Sequence, residues 1–348
     1  MIKMTVSKTK TDGSCGRSAE FAARRASDFE KRNPLICLVT DYGRDEAPHL
    51  VRSAIRAIRP DARIEDVTHE IPAFNILIGA WRLSRVVGTP TEAEGTIYVA
   101  VVDPGVGGNR KSLIVRTNNG QYLVGPDNGL LSLAFQDSGI DCAVSIDNQE
   151  LTLLRFAKSS TFEGKDTFGP VAAHLANGVG ISEFGEPVDP AVLRRISLAP
   201  PGTESVDSHS GYLVDIDSFG NLRTTIGNGA INGADGARVI VSCRGFKKLD
   251  GVFRRTGVCN FESGKDGDFL LVHSSTGFLD IALNQADASK RLRIDSNDIS
   301  LLTRNDGLRP SADILISTAA RDLRPVDDSK PVRPSRSESR CTGISGLG

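Results

Sequence analysis

Two carboxylates in this sequence stand where apolar runs give way to turns. Asp103 lies in VVDPGVGGNR (101–110), after the run GTIYVA, with Arg110 at the far end of the same segment. Asp41 lies in TDYG (40–43), after LICLVT. A buried charge without a partner is costly, so each needs a reason to be there. A carboxylate at a strand end can take a proton, or accept two charge-assisted hydrogen bonds from a ribose diol. The simpler readings are a surface turn capped by Asp103 and a helix capped by Asp41. VVDPGVGGNR has no Walker lysine and no G-x-G-x-x-G at the right point, so it is not a standard phosphate loop.

Other segments carry weaker signals. STFEGKDTFGP (160–170) packs Glu163, Lys165 and Asp166 between aromatics, and its simpler reading is a solvated loop. DVTHEIPAFNI (66–76) holds His69, which alone is more often a hydrogen-bonded structural group than a catalyst. GPDNGLLSLAF (125–135) reads as a turn and a helix start, with Asp127 or Asn128 as cap. DSFGNLRTTI (217–226) and HSSTGFLDIALN (273–284) read first as β-turns and strands. Asn221, Ser275 and Thr276 in them offer neutral donors and acceptors for a purine or an amino acid.

The elements that would position these groups follow from hydrophobic periodicity. LICLVT is a strand, and Leu50, Val51, Ala54, Ile55 and Ile58 then share one helix face up to Pro60. RIEDVT is a second strand. FNILIGAWRLSRVV is a second helix, with Ile76, Ala80, Leu83 and Val87 at helical spacing, and TIYVAVVD is a third strand. This alternation predicts a parallel sheet with right-handed crossovers, whose ligands bind beyond the carboxyl ends of the strands. Asp41 and Asp103 both lie at such ends. Shorter strands are expected at SLIVRT, QYLVG and LTLLRF, and a helix from about Thr167 to Ala176. APPGTES (199–205) reads as a linker. Beyond it GYLVDID, ARVIVSC, DFLLVHS and GFLDIAL are strand-like runs separated by turns. The expected architecture is α/β: a mostly parallel-sheet domain over 34–200, then a smaller all-β, barrel-like domain over 206–320. Residues 1–33 and 321–348 read as disordered extensions.

With 348 residues the chain is long enough for two ordinary domains. It is 39% hydrophobic and 24% charged, and its net charge is −1, which speaks against nucleic acid or a membrane surface as partner. No apolar stretch approaches the roughly 18 residues of a membrane span. The six cysteines form no C-x-x-C pair. A reduced cytoplasm fits that usage, and neither a metal nor a redox cofactor is implied.

In combination the segments resemble one family. The order TDYG, DVTHEIPAFNI, VVDPGVGGNR, GPDNGLLSL, STFEGKDTFGP, DSFGN, SSTGFLDIALN is similar to the S-adenosylmethionine (SAM) hydrolases, the SAM hydroxide adenosyltransferases, relatives of fluorinases and chlorinases. The resemblance runs from about Leu35 to Leu302. It implies an α/β domain followed by a β-barrel domain, a homotrimer, and SAM bound between domains of neighbouring subunits. SAM is then substrate, with no other cofactor. The implied reaction is in-line displacement at the ribose 5′ carbon, by water in the hydrolases and by halide in the halogenases. On this resemblance Asp41 would hold the ribose hydroxyls and Phe74 would form an aromatic wall. Asp217, Phe219 and Asn221 would contact the methionine end and the adenine, and Ser275 and Thr276 the methionine carboxylate or amine. Asp103 and Arg110 match two members of an Asp-Arg-His triad that handles water. The third departs: the family's T-F-H-G-R-D reads Thr161-Phe162-Glu163-Gly164-Lys165-Asp166 here. Glu163 could be the base, Asp103 and Arg110 could suffice, or activity could be weak or aimed at another nucleophile. The competing functions are a halide-using adenosyltransferase, a non-catalytic SAM or adenosine binder, and an α/β enzyme of other chemistry. Retention of Asp103 disfavours halide, since an anion about 4 Å from a carboxylate is opposed by about 4 kcal/mol at an effective dielectric of 20.

Overall fold

The computed structural model describes residues 33–89, 93–154, 161–199, 208–230, 238–244, 251–255, 269–304 and 307–318. The polar N-terminal stretch, the tail from residue 321 and nearly all of APPGTES fall outside them.

The first sheet has six strands: β1 (Leu35–Thr40), β2 (Arg63–Thr68), β3 (Ile97–Val101), β4 (Ser112–Thr117), β5 (Tyr122–Pro126) and β6 (Ile140–Ser145). Their order is β2-β1-β3-β5-β4-β6. β2, β1, β3 and β5 run parallel, while β4 is antiparallel to both neighbours. β1 and β3 are almost wholly buried, which is why both read as unbroken apolar runs rather than alternating ones. The chain leaves β1 toward one edge, to β2, and returns to the other side as β3. The switch point therefore lies between β1 and β3, where Thr40 pairs with Val101.

Helices cover both faces. Helix α1 (Ala47–Ile58) begins with Pro48 in its first turn and buries Val51, Ala54 and Ile55. It packs with the helix Gly169–Ala176 on one face. The other face carries α2 (Ile76–Ser84) and α3 (Ser132–Ser138); Gly169–Ala176 is α4. Asn75 caps α2, its Oδ1 accepting from Ile78 N at 3.0 Å. Its Nδ2 donates to the carbonyls of Ser296 and Ile299, tying the first sheet's layer to the C-terminal half.

Two local expectations change. LTLLRF is not a strand in its described part: Asn148 accepts from Glu150 N and starts a single 3-10 turn over Gln149–Leu151. The helix expected from Thr167 is preceded by a π turn, Gly164–Phe168, closed by Gly169 N donating to Gly164 O. Such turns insert a residue and re-aim what precedes them, here Glu163.

The second unit is a closed seven-stranded barrel. Its strands are β7 (Ser208–Ile216), β8 (Leu222–Gly227), β9 (Arg238–Arg244), β10 (Gly251–Arg255), β11 (Phe269–His273), β12 (Phe278–Leu283) and β15 (Asp313–Thr318). They follow the order β10-β11-β12-β8-β7-β15-β9, with β9 paired to β10. β13 (Leu301–Arg304) and β14 (Gly307–Pro310) form a separate hairpin. Leu213, Leu222, Leu279, Ile281 and Ile314 fill the barrel and join the core beneath α2 and α3 in one apolar cluster. Among the described residues no helix is long and apolar enough to cross a membrane.

Candidate functional site

Asp41 and Asp103 leave adjacent strand ends and enter one crevice of about 290 Å³. Tyr42, Asp45, Phe74, Val106, Phe162, Glu163 and Gly164 complete much of its wall. Neither aspartate takes its simpler reading. Helix α1 receives no bond from Asp41; instead Asp41 Oδ2 accepts from Phe74 N at 2.8 Å. That bond holds Phe74 at φ +65, a backbone region costly for a bulky residue, with its ring 70% exposed. Burial pushes the Asp41 carboxyl above its ordinary range, partly offset by the Phe74 N–H, and nearby Asp103 adds to the rise.

Asp103 is no surface cap: its side chain is only 4% exposed. Arg110 bridges it to Glu163. Its Nε donates to Asp103 Oδ2 at 2.9 Å, its Nη2 bonds the same oxygen, and Nη2 also reaches Glu163 Oε2 at 2.9 Å. Ser112, two residues on at the start of β4, donates to Glu163 Oε2 at 3.0 Å. Asp103 Oδ1 is buried with no hydrogen-bond partner. Thus Asp103, Arg110 and Glu163, split across 53 positions between the last two, meet at one point. The solvated-loop reading of STFEGKDTFGP fails at Glu163 and at Asp166, which is buried and paired with Lys165. His69 keeps the structural role: Thr40 Oγ1 and its Nδ1 lie 2.7 Å apart. Asn128 braces the turn before α3, accepting from Leu130 N and donating to Val102 O, rather than capping the helix itself.

The remaining expected residues lie elsewhere. Asp217, Phe219, Asn221 and Ser275 line a second cavity of about 830 Å³ against the barrel, which shares no lining residue with the first. Asp217 Oδ1 accepts from the N–H groups of Phe219 and Asn221, and Oδ2 accepts from Asn221 Nδ2, so this carboxylate shapes the β7–β8 turn. Phe219 projects from that turn, 77% exposed. Thr276 is off the cavity wall; its hydroxyl donates to Ser274 Oγ at 3.0 Å.

Sequence reading missed Ser112, Arg223 and Asp280. Asp280 sits in β12 across from Arg223 and lines the second cavity, 8% exposed, with Oδ1 unpartnered. An acidic residue inside the apolar run FLDIAL was the available signal. Burial pushes its carboxyl up to about 6, against the opposing bond from Ser274 and the charge of Arg223. A carboxyl that holds its proton more tightly when folded stabilises fully below about pH 4, and that contribution is lost as pH rises through about 6. Urea unfolding of wild type and Asp280→Asn should therefore show a stability difference that changes by about 2 kcal/mol between pH 4.5 and 7.5. A constant difference contradicts the assignment.

Residues 36–185 match the SAM hydroxide adenosyltransferase N-terminal domain, and residues 211–300 the C-terminal domain of the same family. A protein of Salinispora arenicola named (R)-S-adenosyl-L-methionine hydrolase is 34% identical over 271 residues, 76% of this chain and 96% of the relative. A fluorinase of an Actinoplanes species is 27% identical over 287 residues, covering 73% and 92%. The crystal structure of an uncharacterized conserved protein from Thermotoga maritima superposes with a TM-score of 0.68 at 29% identity, covering 81% of this chain and 99% of that one. With both domains matched in order and a relative above 30% identity spanning most of its length, the chain belongs to the SAM hydroxide adenosyltransferase family.

Proposed function

We propose that the chain hydrolyses SAM to adenosine and L-methionine by in-line attack of water on the ribose 5′ carbon. The observation that carries this reading is the charge of the strand-end crevice. Every charged side chain on its wall is acidic, Asp41, Asp45, Asp103 and Glu163, and Arg110 is held behind two of them. Such a wall attracts a sulfonium and opposes an anionic nucleophile. Water carries no such penalty. As the oxygen–C5′ bond forms, the C5′–S bond breaks and its electron pair goes to sulfur, so methionine leaves as a neutral thioether. The water proton passes to Asp103, whose Oδ1 is free to take it. Both contacts of Glu163 end on Oε2 and fix Arg110, so in this reading Glu163 positions the guanidinium and Asp103 takes the proton. Asp41 faces the ribose diol, and Phe74 walls the substrate.

Asp217, Phe219, Asn221, Ser275 and Thr276 belong to the methionine and adenine end of the same reading. Phe219 offers an exposed ring for stacking on a purine. That these residues and Asp41 lie in separate cavities of one chain supports a site shared between copies, the barrel of one closing the crevice of the next, which in this reading is a homotrimer. A reduced, cytoplasmic setting completes the reading, in keeping with six cysteines that form no C-x-x-C pair.

Purified protein incubated with SAM in high chloride is expected to yield adenosine and methionine. 5′-Chloroadenosine as the only nucleoside would establish halide as the nucleophile, and SAM binding without turnover would establish a binding protein.

A further inference from the structure

Tyr42 lies between Asp41 and Gly43 and lines the same crevice. Its ring is set edge-on against Phe162, with centroids 5.5 Å apart and planes at 84°. A phenylalanine would fill that ring site equally, so the hydroxyl needs a reason of its own. It projects against Gly164, the residue after Glu163. A Cβ at Gly164 would overlap the tyrosine oxygen and lie 2.9 Å from Cζ, so glycine there leaves the room the hydroxyl occupies. Among the described residues that hydroxyl makes no hydrogen bond. A hydroxyl without a protein partner on the wall of a crevice is open to a bound water, and Asp103 Oδ1 on the same wall is unpaired too.

We propose that the Tyr42 hydroxyl is a catalytic group of this chain, accepting one hydrogen of the attacking water while Asp103 Oδ1 accepts the other. The proposal rests on the hydrolase reading. A nucleophilic water needs both O–H bonds engaged away from the carbon so that a lone pair faces it. One acceptor leaves the water free to swing; a second fixes its direction. Burial, with Asp41, Asp103 and Glu163 nearby, pushes the phenol well above its ordinary range. It therefore stays neutral and does not compete for the proton, which goes to Asp103. Glu163 and Tyr42 then divide the work of the family's histidine: Glu163 fixes Arg110, and Tyr42 aims the water.

The test is Tyr42→Phe in the full chain, with steady-state kinetics on SAM. The ring packing persists, so KM should stay within about two-fold while kcat falls about 10- to 100-fold. Unchanged kcat overturns the proposal. So does a loss confined to KM, or a matching loss of SAM affinity by calorimetry, since either would make the hydroxyl a packing or binding group. Wild-type protein that binds SAM and forms no adenosine would overturn the hydrolase reading, and this role with it.

Discussion

Asp103→Asn is expected to lower kcat for SAM by about 10²- to 10⁴-fold, with a much smaller rise in KM. The amide keeps the shape of the side chain and can still accept from Arg110, so the site stays assembled. What it removes is the group that takes the water proton, together with one negative charge facing the sulfonium. Glu163→Gln is expected to cost much less, about ten-fold, because the amide oxygen can still accept from Arg110 and Ser112. Steady-state assays of the two variants side by side separate the roles. If Glu163→Gln abolishes turnover and Asp103→Asn spares it, Glu163 is the base and the assignment is reversed. Glu163→His installs the residue type that the resemblance implies there, and a gain in rate would mark the glutamate as a weakened substitute.

Arg82→Ala is expected to destabilise the fold by about 3 kcal/mol. Arg82 of α2 forms a two-pronged pair with Asp215 of β7, Nη2 to Oδ1 at 3.0 Å and Nε to Oδ2 at 3.3 Å. It also donates to the carbonyls of Glu70 and Ile216. Asp215 is 1% exposed, and burial already pushes its carboxyl upward. Arg223 lies 3.8 Å from the other side, too far to replace the lost hydrogen bonds. Removing Arg82 thus strands a buried carboxylate between the sheet layer and the barrel. Urea unfolding should show the loss, and pairing Arg82→Met with Asp215→Leu should recover much of it, because an apolar pair leaves no orphaned charge. A loss under about 1 kcal/mol, or no recovery in the double variant, would contradict this account. Since Asp215 sits two residues before Asp217, loosening it should also disturb the β7–β8 turn.

The parallel core was legible because β1 and β3 are buried on both faces and leave unbroken apolar runs, ending at Asp41 and Asp103. The barrel was legible from its turn-separated strand runs. What the sequence hid was pairing at a distance. Nothing local in STFEGKDTFGP says that Glu163 meets Arg110, because that contact depends on a π turn and on β4 running antiparallel beside β5. Asp280 stood out as an acidic residue inside the apolar run FLDIAL, but its near-complete burial is a property of the cavity around it. Nothing in TDYG singles out Tyr42, since the space beside Gly164 that receives its hydroxyl is made by a segment more than a hundred residues away. The site residues carried by resemblance were legible as motifs, and a substrate held between domains of neighbouring subunits already implied their division between two cavities of one chain.

The central claim is that a water molecule, held at the end of β3, strikes the 5′ carbon and expels a neutral thioether. Turnover of SAM in ¹⁸O-labelled water, read by mass spectrometry of the products, addresses it most directly. The account predicts one labelled oxygen in the 5′-hydroxyl of adenosine and none in methionine. Unlabelled adenosine, a 5′-halogenated nucleoside, or label in a methionine-derived fragment would contradict it.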